Sequence, residues 1–347
     1  MTTYTVEGDL DDVYGFVEAR GWADGLPVVP PTAERVATML GSFSPGGSAG
    51  VVPPGYREAT NEVLAANAVM AGCAPPMFPV VRAAVEAMLQ PRFNLAGVQA
   101  TTHPVSPFLV VHGPVADRVG VGSGPGALGP GVGASSSIGR ALRLILMNVG
   151  AARPGSGDQA THGSPAKFAY CMAENVEASP WPEFHTTKGF APGDDAVTVL
   201  AGEAPHNVHD HQSSTGVRFA NIVADVMRAQ GHVSWIMSRG NDFGVVLGPE
   251  HAGMLARDGW SRHDVQMYLY HRSCRPVRDV MWGGNWTGRD WPAWMEGLAD
   301  DPESLVPPVR HPDEVCVFVT GGPGKHSFLV PAFGNSSAVT WPVADRD

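Results

Sequence analysis

Residues 99–154 read QATTHPVSPFLVVHGPVADRVGVGSGPGALGPGVGASSSIGRALRLILMNVGAARP, and the fold class is decided here. Two short apolar runs, residues 97–101 and 108–112, have the length and β-branched content of buried strands. A longer run with apolar residues at three- and four-residue spacing begins as a helix just after Ser135-Ser136-Ser137. The loop between is dense in glycine: Gly122, Gly124, Gly126, Gly129, Gly131 and Gly133. Such backbone can approach a bound group closely, and a helix start aims unpaired N–H groups at it, so the pattern suits an anion. Neither G-x-x-x-x-G-K-[ST] nor a compact dinucleotide fingerprint is present, which favours a small carboxylate over a phosphate. The alternative is a wide surface turn whose serines cap the helix.

Outward from this stretch the chain echoes itself. Phe108-Leu-Val-Val-His-Gly-Pro114 matches Phe243-Gly-Val-Val-Leu-Gly-Pro249 at an offset of 135 residues, and a shorter echo, Val317-Phe-Val-Thr-Gly-Gly-Pro323, follows. The same offset lays residues 98–101 on 233–236 and the helical pattern 79–89 near 217–227. Short apolar strands beside helical patterns predict an α/β fold of two related α/β units, an internal duplication packed around a central cleft. The expected division is an N-terminal extension over 1–50, a first unit with the Gly-rich loop over 51–155 and a connecting functional segment over 156–196. A second unit over 197–275, a Trp-rich insert over 276–310 and a C-terminal strand with GGPGKHS over 311–347 complete it. Helices are expected over 10–20, 33–40 (with Thr32 as N-cap), 61–71 and 79–89, and strands at 51–52, 167–172 and 196–200.

The 347 residues are 44% hydrophobic and 16% charged, the balance of a compact globular protein. A net charge of -11 with no basic patch excludes nucleic acid and anionic membrane surfaces as partners. The acidic N-terminus lacks a secretory pattern and no run of about 18 apolar residues is present, so a cytoplasmic protein is expected. Cys73, Cys171, Cys274 and Cys316 show no C-x-x-C spacing, which fits reduced thiols. Only three of the 23 basic residues are lysines, which favours a need for an ammonium at Lys167 and Lys325, both in Gly/Pro-bounded segments.

The densest polar cluster is GEAPHNVHDH, residues 202–211, directly after a strand. His206, His209 and His211, with Glu203 and Asp210, offer ligands to Zn, Fe or Mn with a position open for substrate. A hydrogen-bonded polar loop and a lone catalytic His206 remain the alternatives. Cys73 is a candidate nucleophile if the following helix start stabilises its thiolate, and otherwise a small buried apolar residue. Lys325 and His326 sit on a Gly-rich turn suited to holding an anion or moving a proton. His103 follows Thr101-Thr102, and Arg140, in the first turn after the Gly loop, is either a carboxylate clamp or half of a surface ion pair.

The segments GLPVVPPT, AGCAPP, NLAGVQATTHP, SIGRALRLILMNVGAARPG, CMAENVEASPW and GGPGKHS together resemble a bacterial family of about this length whose members are mainly uncharacterised. The resemblance implies counterparts in family motifs for Cys73, Gln99, Thr101, Thr102, Gly139, Arg140, Asp158, Lys167, Glu174, Asn175, His206, Asn207, Lys325 and His326. It brings no activity. His209, His211 and the Trp-rich run depart from its pattern.

The leading expectation is an enzyme of lyase, hydratase or hydrolase type acting on a small anionic carboxylate substrate, in a homo-oligomer. Arg140 and Ser135 to Ser137 would anchor the substrate, with Thr101, Thr102, His103, Lys167, Asn175 and Asn207 as further contacts. His206 would be the base or a Zn or Fe ligand, and Lys325, His326 and Glu174 the catalytic partners. A non-catalytic metabolite-binding protein and a thiol enzyme using Cys73 are the rivals. A common site requires His206, Lys325 and the Gly-rich loop to converge.

Overall fold

The computed structural model describes residues 2–230, 240–280, 293–295, 297–298 and 300–346. Most of the Trp-rich run, and residues 233–236 of the proposed repeat, therefore lie outside the described residues. The fold is α/β, as the sequence predicts.

The N-terminal helices form where their caps stand. Asp9 closes a capping box on α1 (Leu10–Ala19), the Thr32 hydroxyl caps α2 (Ala33–Leu40), and Thr60 caps α3 (Asn61–Met70) after the hairpin β1 (Ser48–Val52) and β2 (Arg57–Thr60). α4 (Phe78–Met88) follows, and then α5 (Leu95–Ala100), where the sequence suggested a strand over 97–101. The side chain of Asn94 accepts from the Gly97 N–H, and this local cap decides for helix against the weak β pattern.

The remaining strands build two four-stranded sheets and two small two-stranded ones. β3 (Ser106–His112), α6 (Pro114–Val119), α7 (Gly133–Asn148), β4 (Cys171–Ala173) and β5 (Ala196–Gly202) come first. β6 (His206–His209), α8 (Gly216–Gln230), β7 (Gly240–Asn241), β8 (Phe243–Leu247), α9 (Pro249–Arg257), α10 (Arg262–Arg272), β9 (Arg275–Pro276) and α11 (Val277–Val280) follow. β10 (Leu305–Val306), β11 (Val315–Val319), β12 (His326–Val330), β13 (Asn335–Ser336) and β14 (Val339–Pro342) complete the chain. The small sheets pair β9 with β10 and β7 with β13. The strand expected over 167–172 is split, its first part forming a 3-10 turn, Pro165–Lys167, ahead of β4.

One four-stranded sheet runs β4-β3-β5-β14 and the other β11-β8-β12-β6. In each, the first pair is parallel and the next two are antiparallel, so order and directions coincide. The fourth strands are exchanged: β6 leaves β5 to join the second sheet, and β14 leaves β12 to join the first. β5, with which the second unit was expected to begin, therefore belongs to the first sheet.

Alternation along the strands sets the layers. Leu109, Val111, Val197 and Val199 pack into a core shared with α3, α4 and α7, while Val245, Val317 and Leu329 pack against α8, α9 and α10. The other strand faces meet: Phe108, Val110, Met172 and Leu200 press on Val246, Cys316, Phe318 and Val330. The result is a helix, sheet, sheet, helix sandwich. The space between the units, expected as a cleft, is filled by this third core, each large side chain in it contributing about 2 kcal/mol by burial.

The repeated Gly-Pro also has a physical cause. A Cβ on Gly113 would run into the Asp194 carbonyl ahead of β5, and one on Gly248 into the His326 carbonyl of β12. Pro114 and Pro249 then open α6 and α9. The third echo is a different device: a Cβ on Gly322 would strike Pro125, no helix follows, and its strand, β11, takes the place of β4 rather than β3.

Candidate functional site

The 16-residue α7 carries the site. Val132, which has no side-chain cap, stands at its start, and Ser135 instead accepts from the Gly122 N–H at 2.9 Å, tying the Gly-rich loop to its own helix. Ser135 is buried, Ser136 exposed and Ser137 half-buried. Further along, Gly139 lets the helix lie on the next segment, since a Cβ there would stand 2.7 Å from the Tyr170 nitrogen. That segment folds back over α7 and leaves a cavity of about 500 Å³ whose walls include Asp24, Arg143, Asp158, His162, Ser164 and Lys167.

Its charge is organised around Asp158. Lys167 Nζ donates to both carboxylate oxygens, at 2.8 and 2.7 Å, and Arg143 Nη2 to one of them at 3.0 Å. Burial pushes the Asp158 carboxyl up, but the Lys167 hydrogen bond, the Ala160 N–H and both cations outweigh it and hold it below the usual carboxylate range. Burial pulls Lys167 down, and Asp158 offsets this only in part, so its ammonium gives up a proton more readily than a surface lysine. A second lock stands at the rim, where Arg140 grips Asp24 through two bonds of 2.8 and 2.7 Å and also reaches the carbonyls of Leu26 and Pro27. Arg140 is thus a carboxylate clamp whose carboxylate belongs to this chain.

The other expected site residues are distributed. The Thr102 carbonyl accepts from Thr161, which borders the cavity. The Thr101 hydroxyl accepts from the His103 N–H, and the His103 ring meets Glu203 at 2.6 Å. Glu174 is buried, its oxygens meeting His112, Arg262 and the N–H groups of Phe184 and Val319 where the two sheets join. Asn175 donates to the Gly321 carbonyl and accepts from Ala178. The Gly-rich loop and the 321–327 turn do meet, the Gly321 N–H donating to the Ser123 carbonyl at 2.8 Å. Cys73 is buried behind the last turn of α3, and burial pushes its thiol up to about 12. The helix-start activation expected for it is absent.

His206 and His209 part company because they are three residues apart on one strand and so face opposite sides. His209 lies directly across from His326, and the ligand atoms of His209, His211 and His326 are within 4.8 Å of one another. His206 pairs with Leu329 on the helix-facing side. The expected metal set therefore changes one member, His326 taking the place of His206. A second group, His112, Glu183 and His185, is also close enough to hold an ion, but both ring nitrogens of His112 are already bonded, to Glu174 and Thr198.

Sequence reasoning left out Asp24, Arg143 and His162. The signal for Arg143 was available: it stands one helical turn after Arg140 on the same face. Comparison of the chain with protein-family models, with curated proteins and with solved structures finds no match. Among the described residues no helix is long and apolar enough to cross a membrane.

Proposed function

We propose that the protein is an enzyme of lyase, hydratase or hydrolase type that takes a small carboxylate substrate into the cavity on α7. The observation that carries this reading is the charge balance there: two half-buried cations, Lys167 and Arg143, share one carboxylate, Asp158, in a chain of net charge -11. Arg140 and Asp24 neutralise each other, so the cavity keeps one positive charge in excess. Lys167 has a third N–H beyond the two given to Asp158, and Arg143 bonds Asp158 and the Ala152 carbonyl through Nη2 alone among the described residues. These spare donors suit a substrate carboxylate. Lys167, lowered by burial and steered by Asp158, is the proton-transfer group, and Ser164 and His162, on the cavity wall, would orient the reacting end.

The test is product formation, followed by proton NMR, from a panel of small 2-hydroxy, 2-oxo, unsaturated and amidated carboxylates. The expected result is turnover by the wild type, lowered about a hundredfold or more by Lys167→Met and kept by His206→Ala. Loss of turnover in His206→Ala with retention in Lys167→Met would move the chemistry to the second sheet. Binding with the ligand recovered unchanged would make this a metabolite-binding protein.

A further inference from the structure

We propose that His209, His211 and His326 form a binding site for one divalent, imidazole-preferring metal ion of the Zn²⁺ type, separate from the cavity on α7 and independent of the function assigned to it. The side chains of His209 and His326 stand opposite each other on β6 and β12, on the face that looks toward the first sheet, and are exposed. The rings are stacked at 5.1 Å, and His211 closes the triangle at 4.6 and 5.4 Å from the other two. Zinc bonds of about 2.0 Å at tetrahedral angles require nitrogens about 3.3 Å apart. The ligand atoms, on exposed rings, lie within 4.8 Å of one another, so binding would draw them together by up to about 1.5 Å.

The surroundings prepare the three rings. The Nδ1 of His326 lies 3.0 Å from the Asn207 amide oxygen, which fixes the proton on that nitrogen and leaves Nε2 with its lone pair free for a metal. Asp210, between the other two ligands, accepts from the N–H groups of Gln212 and Ser213 and so sets the turn that carries His211. Its other oxygen is buried and takes no hydrogen bond among the described residues. A carboxylate with one oxygen left without a hydrogen-bond partner among the described residues therefore lies beside the site. Beneath the turn, buried His251 reaches the Asp210 carbonyl at 3.1 Å and the Ser327 hydroxyl at 2.8 Å, locking β12 to the turn. Lys325, the nearby cation, points its ammonium at the His211 carbonyl. Three imidazoles on a fixed platform, with the remaining coordination positions facing solvent, make a three-histidine site open to water.

The experiment is calorimetric titration of the metal-free full chain with Zn²⁺, repeated with Co²⁺ and read by visible absorption. The wild type is expected to bind one equivalent, with the absorption of a tetrahedral Co²⁺ centre. Because the rings are exposed, His209→Ala and His326→Ala should keep the thermal melting of the metal-free protein while weakening Zn²⁺ binding about a hundredfold. Asn207→Ala should weaken it about tenfold by freeing the His326 tautomer. His206→Ala and Lys167→Met should bind as the wild type does, and the latter separates this site from the cavity. No stoichiometric binding by the wild type would overturn the proposal, and so would His206→Ala weakening binding as much as His326→Ala.

Discussion

Asp158 satisfies two cations at once, with both its own side chain and theirs largely buried. Asp158→Asn leaves Lys167 and Arg143 facing each other uncompensated, and is expected to cost about 3 kcal/mol in urea denaturation. Its pH dependence has a definite sign. A carboxyl lowered in the folded state contributes stability that is full above its unfolded pKa and lost as pH falls through the folded one. The acid limb of the wild-type stability curve should therefore flatten in the variant. Cys73 gives the second prediction at this scale. With its thiol held at about 12, iodoacetamide should leave it unlabelled in the native protein at pH 8 and alkylate it in urea. Fast native labelling would restore the thiol-enzyme reading. The sequence marked Lys167, Arg140 and Cys73 as chemically interesting by type and position. The partner of Arg140 came from elsewhere in the chain: Asp24 lies 116 residues away, and no periodicity reports such a pairing.

Elements were legible where a local cause was present. Thr32 and Thr60 cap their helices, and the Gly-Pro turns after β3 and β8 end strands and start helices. The failure over 97–101 has the same kind of cause, an Asn94 cap outweighing a short apolar run. The His cluster shows a limit of another kind: spacing in sequence groups His206 with His209, whereas strand alternation separates them and cross-strand pairing brings in His326. The Gly248 device is open to test. Gly248→Ala forces a Cβ against the His326 carbonyl and should lower the urea midpoint by the equivalent of about 2 kcal/mol or more. Gly253→Ala, in the middle of α9 with nothing within 4 Å, should be neutral or raise stability by up to about 1 kcal/mol. Equal effects of the two substitutions would remove the explanation of the motif.

At the scale of the whole molecule, the α/β class was readable from alternating strands and helices, but the exchange of fourth strands was not, because nothing local in β6 or β14 says which sheet each will join. The matching order, directions and Gly-Pro device of the two sheets support the internal duplication as a proposal. Asp242 lies where the exchange is held together: it accepts from the Ala338 N–H ahead of β14 and from the Cys316 thiol of β11. Burial pushes its carboxyl up to about 6. The folded state then holds this proton more tightly than the unfolded one, so the group erodes stability as pH rises from about 4 through about 6, and by a constant amount above. Asp242→Asn should therefore be more stable than the wild type at pH 8 by up to about 3 kcal/mol, and little different at pH 4.

The central claim is that a small carboxylate binds between Lys167 and Arg143, and the most direct test is a crystal structure with a carboxylate that the turnover panel identifies. The account predicts its carboxylate oxygens at about 2.7–3.0 Å from Lys167 Nζ and an Arg143 guanidinium nitrogen, inside the α7 cavity. A carboxylate seated instead on the Gly-rich loop at Ser135 to Ser137, or beside His206, would contradict it.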